Sequence, residues 1–340
     1  MKKSIISIIF LLSCFISSGQ SAEDFLQEGL AKCKNKEYEK GIEILNKAIG
    51  INPNIPEAYN YRGIARDELR DFKGAIDDYT TAIRLNSSYW KPYFNRGTVK
   101  SEIGDYQGAI QDFSAAIEMM PDSETGYYCR GLAKTDINDY NGAIDDFNRA
   151  IEIRPNYYDA YIKRGYAKSQ IEKYPEAIVD FSEAVRINPN NPVAYNFRGI
   201  AKSKSGDYEA AIIDLNEGIK IDSNNYFAFF FRGEARYFTK DFEGSISDYN
   251  RVLEMKPDYA DAYYYRGTVK IEIHDYLNAI KDFSEAIKLN PEFKEAYYNR
   301  GTAEYKNKDN DSACRDWTIA SNMGLEMASE MLNKFCNSHK

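Results

Sequence analysis

From Ala22 onward the chain falls into nine gapless blocks of 34 residues, beginning at Ala22, Pro56, Trp90, Glu124, Tyr158, Pro192, Tyr226, Ala260 and Lys294. This period constrains the fold more than any composition does. A unit of that size cannot bury its hydrophobic face alone, so neighbouring copies must stack. With each block numbered 1 to 34, position 8 is glycine in all nine, from Gly29 to Gly301. Position 4 is always Phe or Tyr, from Phe25 to Tyr297, and position 20 is always small, as in Ala75, Ala143 and Ser245. Position 24 is always large, as in Tyr79, Phe181, Leu215 and Trp317. Position 27 is alanine in seven blocks, with Gly218 and Val252 as exceptions, and position 32 is proline in six.

Apolar and small residues at 4, 8, 20, 21, 24, 27 and 28 follow helical spacing and predict two antiparallel helices per block. A glycine inside a helix costs about 1 kcal/mol against alanine, so nine of them need a packing reason. The expectation is close approach of two backbones, with glycine 8 facing the small residues at 20 and 27. The aromatic at 4 and the large residue at 24 would fill the remaining core. All ten prolines fall in connections or first helical turns, where a missing N–H costs little.

These residues, as in "AYYYRGTVKIEIHDYLNAIKDFSEAIKLNPEF", resemble the tetratricopeptide repeat (TPR) family, over about nine-tenths of the chain. The resemblance implies an all-α fold: a right-handed α-solenoid of nine 34-residue helix-turn-helix TPR units plus a C-terminal capping helix. The expected domains are a signal peptide over 1–19 and one TPR superhelix over 20–340, with the cap at 325–336. Leu325, Ala328, Leu332 and Phe335 supply the cap's apolar stripe, and "ACRDWTIASNMGLEMASEMLNKFC" also looks like the end of a Sel1-type array. Two positions depart from the family. Position 7, usually apolar, is arginine in blocks two to nine, and position 11, usually aromatic, is mostly Lys or Arg.

Position 23 is aspartate in the same eight blocks, whereas block one carries Glu28 and Ile44 instead. A charge near a core must be paired, because stranding it costs several kcal/mol. The joint absence predicts a bridge within one block, Arg130 with Asp146 and Arg164 with Asp180. A bridge to the next block is the alternative. On either reading the charges are architecture.

The stretch "NNYFAFFFRGEARYF" over 224–238 crowds seven aromatics into one predicted helix. In the resembling family, positions 2, 5, 6, 9, 12 and 13 face the concave groove. That places Phe227, Phe230, Phe231, Tyr237 and Phe238 in the groove and Phe229, at position 4, in the core. Phe197, Tyr264, Tyr265 and Tyr298 would extend the patch, with Phe94 and Tyr128 as further aromatics at position 5. Acids such as Asp261 at position 2 and Glu272 at position 13 are interspersed. Such a surface suits a protein or peptide with apolar and basic side chains. The alternative is that position 6 packs on the adjacent helix. The family's carboxylate clamp needs Lys at 5 and Asn at 9, and no block has either.

Chemistry finds little foothold. His274 and His339 lack neighbours at metal-ligand spacing, and the regular glycines make no phosphate loop. No enzyme, cofactor or metal is expected. The net charge is 44 − 52 = −8, which argues against nucleic acid. Lys2 and Lys3 followed by an apolar run to Gly19 read as an export signal, for a periplasmic or secreted protein. A lipoprotein signal acylated at Cys14, giving an outer-membrane anchor, and a retained anchor are the alternatives. In an oxidising compartment Cys314, opening the second helix of block nine, and Cys336, ending an antiparallel cap, should form a disulfide. Two buried thiols are the other possibility. The expected function is therefore a non-enzymatic binding scaffold with an aromatic and acidic groove. The alternative is a structural component of an envelope complex that docks through its convex face or the array ends.

Overall fold

The computed structural model describes residues 20–336. The export signal over 1–19, the Cys14 anchor and His339 lie outside the described residues. The chain divides into two compact units, Met1–Ile153 and Arg154–Lys340.

The first unit holds four helical hairpins. Its helices are α1 (Ala22–Lys34), α2 (Tyr38–Ile51), α3 (Pro56–Glu68), α4 (Phe72–Leu85), α5 (Trp90–Glu102), α6 (Tyr106–Met119), α7 (Glu124–Asp136) and α8 (Tyr140–Ile153). The second unit continues with α9 (Tyr158–Gln170), α10 (Tyr174–Ile187), α11 (Pro192–Lys204), α12 (Tyr208–Ile221), α13 (Tyr226–Phe238) and α14 (Phe242–Met255). It ends with α15 (Ala260–Glu272), α16 (Tyr276–Leu289), α17 (Lys294–Lys306), α18 (Asn310–Asn322) and α19 (Glu326–Met331), followed by a π-helical turn over Leu332–Cys336. No strand occurs among the described residues. Every block is one hairpin, and within each unit the hairpins stack in chain order into an all-α solenoid.

Local chemistry sets the hairpin geometry. The turn residue at position 15 takes a left-handed conformation in every block: Gly104 and Gly206 at no cost, but also Arg70, Glu172, Lys240 and His274. At position 16, Asp71, Asp105, Asp207, Asp241, Asp275 and Asp309 cap the second helix by accepting a backbone N–H three residues on.

The core of each hairpin is the large residue at 24. Tyr79, Phe113, Phe147, Phe181, Leu215, Tyr249, Phe283 and Trp317 are all fully buried. Glycine 8 makes room first for that side chain, with the backbone of position 20 also close in two blocks, where Ala211 O and Ala313 O would stand 3.1 Å from a Cβ on Gly199 and Gly301. A Cβ on Gly165 would stand 2.7 Å from Phe181 Cε1, and one on Gly63 would stand 2.7 Å from Tyr79 Cε1. The aromatic at position 4 is only half-buried, Phe229 included, which corrects the expectation that it is core. Its ring lies beneath the arginine three residues on, at 5.2–5.9 Å in all eight blocks that have that arginine.

Each of those arginines binds the aspartate of its own block, at 2.6 Å for Arg130 Nη2 to Asp146 Oδ1 and 2.5 Å for Arg164 Nη2 to Asp180 Oδ1. The aspartates are nearly fully buried. In blocks two to eight a second cation from position 11 completes the pair, as Lys134 does for Asp146 and Lys168 for Asp180, both at 2.8 Å. Within each unit the remaining arginine nitrogen reaches the preceding hairpin, where Arg130 Nη1 donates to Ser114 Oγ at 3.0 Å and Arg232 Nη1 to Asn216 Oδ1 at 2.7 Å. One side chain therefore ties its own hairpin together and stitches it to the one before.

At the C-terminal end, Cys314 and Cys336 are disulfide-bonded, with Cα atoms 5.9 Å apart. The bond holds the last turn against α18, and Phe335 packs on Tyr305 at 4.6 Å and Trp317 at 6.1 Å. Cys33 and Cys129 are free, and burial pushes the Cys129 thiol up to about 11.

Candidate functional site

Successive helical residues are 100° apart, so positions 2, 6, 9 and 13 of a first helix share one stripe, and 1, 5, 8 and 12 share the next. On α13 the first stripe is Phe227, Phe231, Glu234 and Phe238; the second is Tyr226, Phe230, Gly233 and Tyr237. Phe227 and Phe238 are 48% and 50% exposed, and Phe231 is half-buried.

The second stripe behaves differently. Phe230 is 7% exposed, enclosed by Phe231, Tyr249, Tyr259 and Tyr265 at ring distances of 5.4–5.7 Å. It is a core residue, and its placement in the groove is corrected. The reason is general, because position 5 packs on the large residue at 24 of its own hairpin, where the next hairpin also comes close. Ile162 and Asn196 are buried there too, and Phe94 and Tyr128 lean on Phe113 and Phe147 at 5.5 and 5.9 Å. Tyr264 is half-buried between Phe283 and Phe293, and its hydroxyl accepts from Asn299 Nδ2 at 3.1 Å. Tyr298 is half-buried within the cluster that seats the C-terminal cap. Tyr237 is half-buried between Phe238 and Phe242, and burial, then the nearby Glu272 charge, raises its hydroxyl above the usual tyrosine range.

What the structure brings together is a groove of about 490 Å³ across α9, α11 and α13. Its walls are Tyr166, Tyr174, Val193, Phe197, Ile200, Phe227 and Phe231, with Asn196 and Lys204 as polar members. The rings are held in place from behind. Phe197 stacks on Phe181 at 5.5 Å, and Phe227 stacks on Tyr226 at 4.3 Å, itself beneath Lys256. Phe238 stacks on Tyr208 at 4.5 Å, and Tyr265, about a third exposed, stacks on Tyr249 at 6.1 Å. Position 6 thus both packs and faces the groove.

Sequence reasoning missed Glu234. It carries an acid at position 9, where the other eight blocks have apolar residues, tyrosine or threonine, and that singularity was its signal. Lys204 Nζ donates to its Oε1 at 3.2 Å, joining α11 to α13. Among the described residues no cluster of His, Cys, Asp or Glu could hold a metal ion, and no helix is long and apolar enough to cross a membrane.

Three tetratricopeptide repeat models match the chain: one over residues 131–171, one over 266–317, and one over 26–55, 91–123, 158–191 and 192–225. Together they span more than half of it. The chain belongs to the tetratricopeptide repeat family. Among solved TPR structures, a repeat protein from Cytophaga hutchinsonii is 20% identical, covering 70% of this chain and 97% of that one, with a TM-score of 0.60. One from Parabacteroides merdae ATCC 43184 is 18% identical over 73% of this chain and 98% of that one, with a TM-score of 0.56. The APC/C hetero-tetramer Cut9–Hcn1 is 13% identical over 95% of this chain and 78% of that one, with a TM-score of 0.57. At these identities the likeness speaks for the TPR fold alone. No curated protein matches the chain. TPR proteins mediate binding to proteins and peptides, and the scaffold is typically non-enzymatic.

Proposed function

We propose that this protein is a non-catalytic scaffold whose groove on α9, α11 and α13 binds a protein segment carrying apolar and basic side chains. The observation that carries this reading is the groove itself. It is large, walled by aromatic and aliphatic side chains, and keeps Phe227 half in solvent. Apolar surface of that kind, with rings locked from behind, is what interface anchors dock into. Basic side chains fit the acids Asp261 and Glu272 on α15, the first helix of the next hairpin. Export through the residue 1–19 signal belongs to the same proposal, and the Cys314–Cys336 disulfide supports it, since such bonds persist in oxidising compartments.

A second reading has its own observation. Val179 and Ile213, both at position 22, are more than 60% exposed on the outer helices α10 and α12, as an edge-docking structural component would require. A displayed random-peptide library, selected on the full chain, separates the two. The groove reading expects an enriched motif with a bulky apolar residue. Binding should weaken at least tenfold in Val193→Ser/Phe227→Ser and stay unchanged in Val179→Ser/Ile213→Ser. No enriched motif, or the opposite response of the two variants, overturns it.

A further inference from the structure

Glu234 poses a problem that the groove does not solve. Its Oε1 is taken by Lys204, but Oε2 is shielded from solvent and has no hydrogen-bond partner. A buried carboxylate oxygen without a donor is costly and calls for an explanation.

Beside it opens a second cavity of about 170 Å³, walled by Tyr237, Phe238, Tyr249, Tyr264 and Tyr265. Aromatic faces are electronegative and attract cations. The charges acting on these tyrosines are Glu234, Asp261, Glu272, Glu295 and the arginine-paired Asp248, against Lys204. Aromatic walls, excess negative charge and an acceptor awaiting a donor make one kind of receptor. We propose that this cavity receives a protonated lysine or arginine side chain of the bound segment. A quaternary ammonium lacks the N–H that Oε2 needs, and a neutral amide leaves the field unanswered. The cavity lies between α13 and α15, one hairpin beyond the apolar groove. Packed helices stand about 8–10 Å apart and an extended chain advances about 3.3 Å per residue, so the cation belongs roughly two to four residues from the apolar anchor.

The proposal rests on the groove reading, yet the two can be tested apart, because a valine reports on each. Val269 lines the aromatic cavity and Val193 the groove. The full chain, labelled at its valine methyl groups, is titrated with n-butylguanidinium and with neutral n-butylurea. The Val269 resonance should move saturably with the guanidinium, about tenfold tighter than with the urea, while Val193 stays still. Glu234→Gln should keep the dispersed valine spectrum and lose that preference. A Val269 signal that ignores both probes, or answers them equally, overturns the proposal, as does an unchanged preference in Glu234→Gln. Failure of the groove reading shows elsewhere, as a library without an enriched motif. A selective Val269 response would then leave the cation cavity standing as a site in its own right.

Discussion

Glu304 occupies position 11 of block nine, where blocks two to eight place the lysine or arginine that gives each buried aspartate its second cation. Here Asp316 keeps only Arg300, and Glu304 Oε2 is shielded without a partner. Burial, and then the Asp316 charge, pushes the Glu304 carboxyl up to about 7. The folded state therefore holds a proton that the unfolded chain, with an ordinary glutamate near 4.3, releases earlier. Stability from this group is fully present below the ordinary value and is lost as pH rises through about 7. We expect Glu304→Gln to melt higher than the parent at pH 8, by on the order of 1 kcal/mol after allowing for solvent screening, and level with it at pH 4. Thermal melts at the two pH values check this, and an equal gain at both would remove Glu304 as the cause. A second prediction concerns glycine 8. Gly165→Leu drives a side chain into the buried Phe181 ring, which has no open space to enter, and should cost about 3 kcal/mol. A melting midpoint within about 1 °C of the parent would contradict the steric account.

Adjacent rings on α13 have opposite duties. Phe230 supports the stack of α13 on α14 and α15, whereas Phe227 supports nothing behind it except Tyr226. Phe230→Ala should therefore destabilise by about 3–5 kcal/mol, the cost of a large core truncation. Phe227→Ser should change stability by no more than about 0.5 kcal/mol, as an exposed substitution does. Denaturant melts of the two variants decide it, and equal losses would mean that Phe227 is also structural. The same helix shows how far the sequence could be read. Hairpin limits were legible because proline and turn residues mark every break, and the within-block bridges because block one lacks both partners. The groove was legible at positions 2, 6 and 13, where an apolar side chain packs on one side and keeps the other open. It was misread at positions 5 and 12, because the apolar period reports that a residue is hidden without saying which neighbour hides it. Phe229 was assigned to the core from its place at position 4 of the apolar spacing. Its half-buried stack beneath Arg232 depends on that arginine being anchored to Asp248 on α14, which is a tertiary fact.

At the scale of the chain, a stacked array distributes its stability among local terms, each hairpin drawing on itself and its neighbours. The arginine that binds its own aspartate and a side chain of the preceding hairpin is that rule in chemical form. An array of this kind is weakest where stacking ends, because the last hairpin has one neighbour instead of two. The end of this chain answers with a short cap: Ala328 buried against α18, Phe335 laid on Tyr305 and Trp317, and a disulfide closing a loop with a sequence separation of 22. By the chain-entropy account a loop of that size is worth about 3 kcal/mol, and in an array that sum is felt locally. Reduction should therefore loosen α18 and α19 and spare distant hairpins. In hydrogen exchange on the full chain, amides of α18 and α19 should lose up to about a hundredfold of their protection on reduction, while those of α9 to α12 keep theirs. The Cys314→Ser/Cys336→Ser variant should reproduce the reduced pattern without reductant. Uniform loss along the chain would mean that the hairpins unfold as one cooperative body, and no loss at the cap would mean that Phe335 and Ala328 alone suffice to close the array.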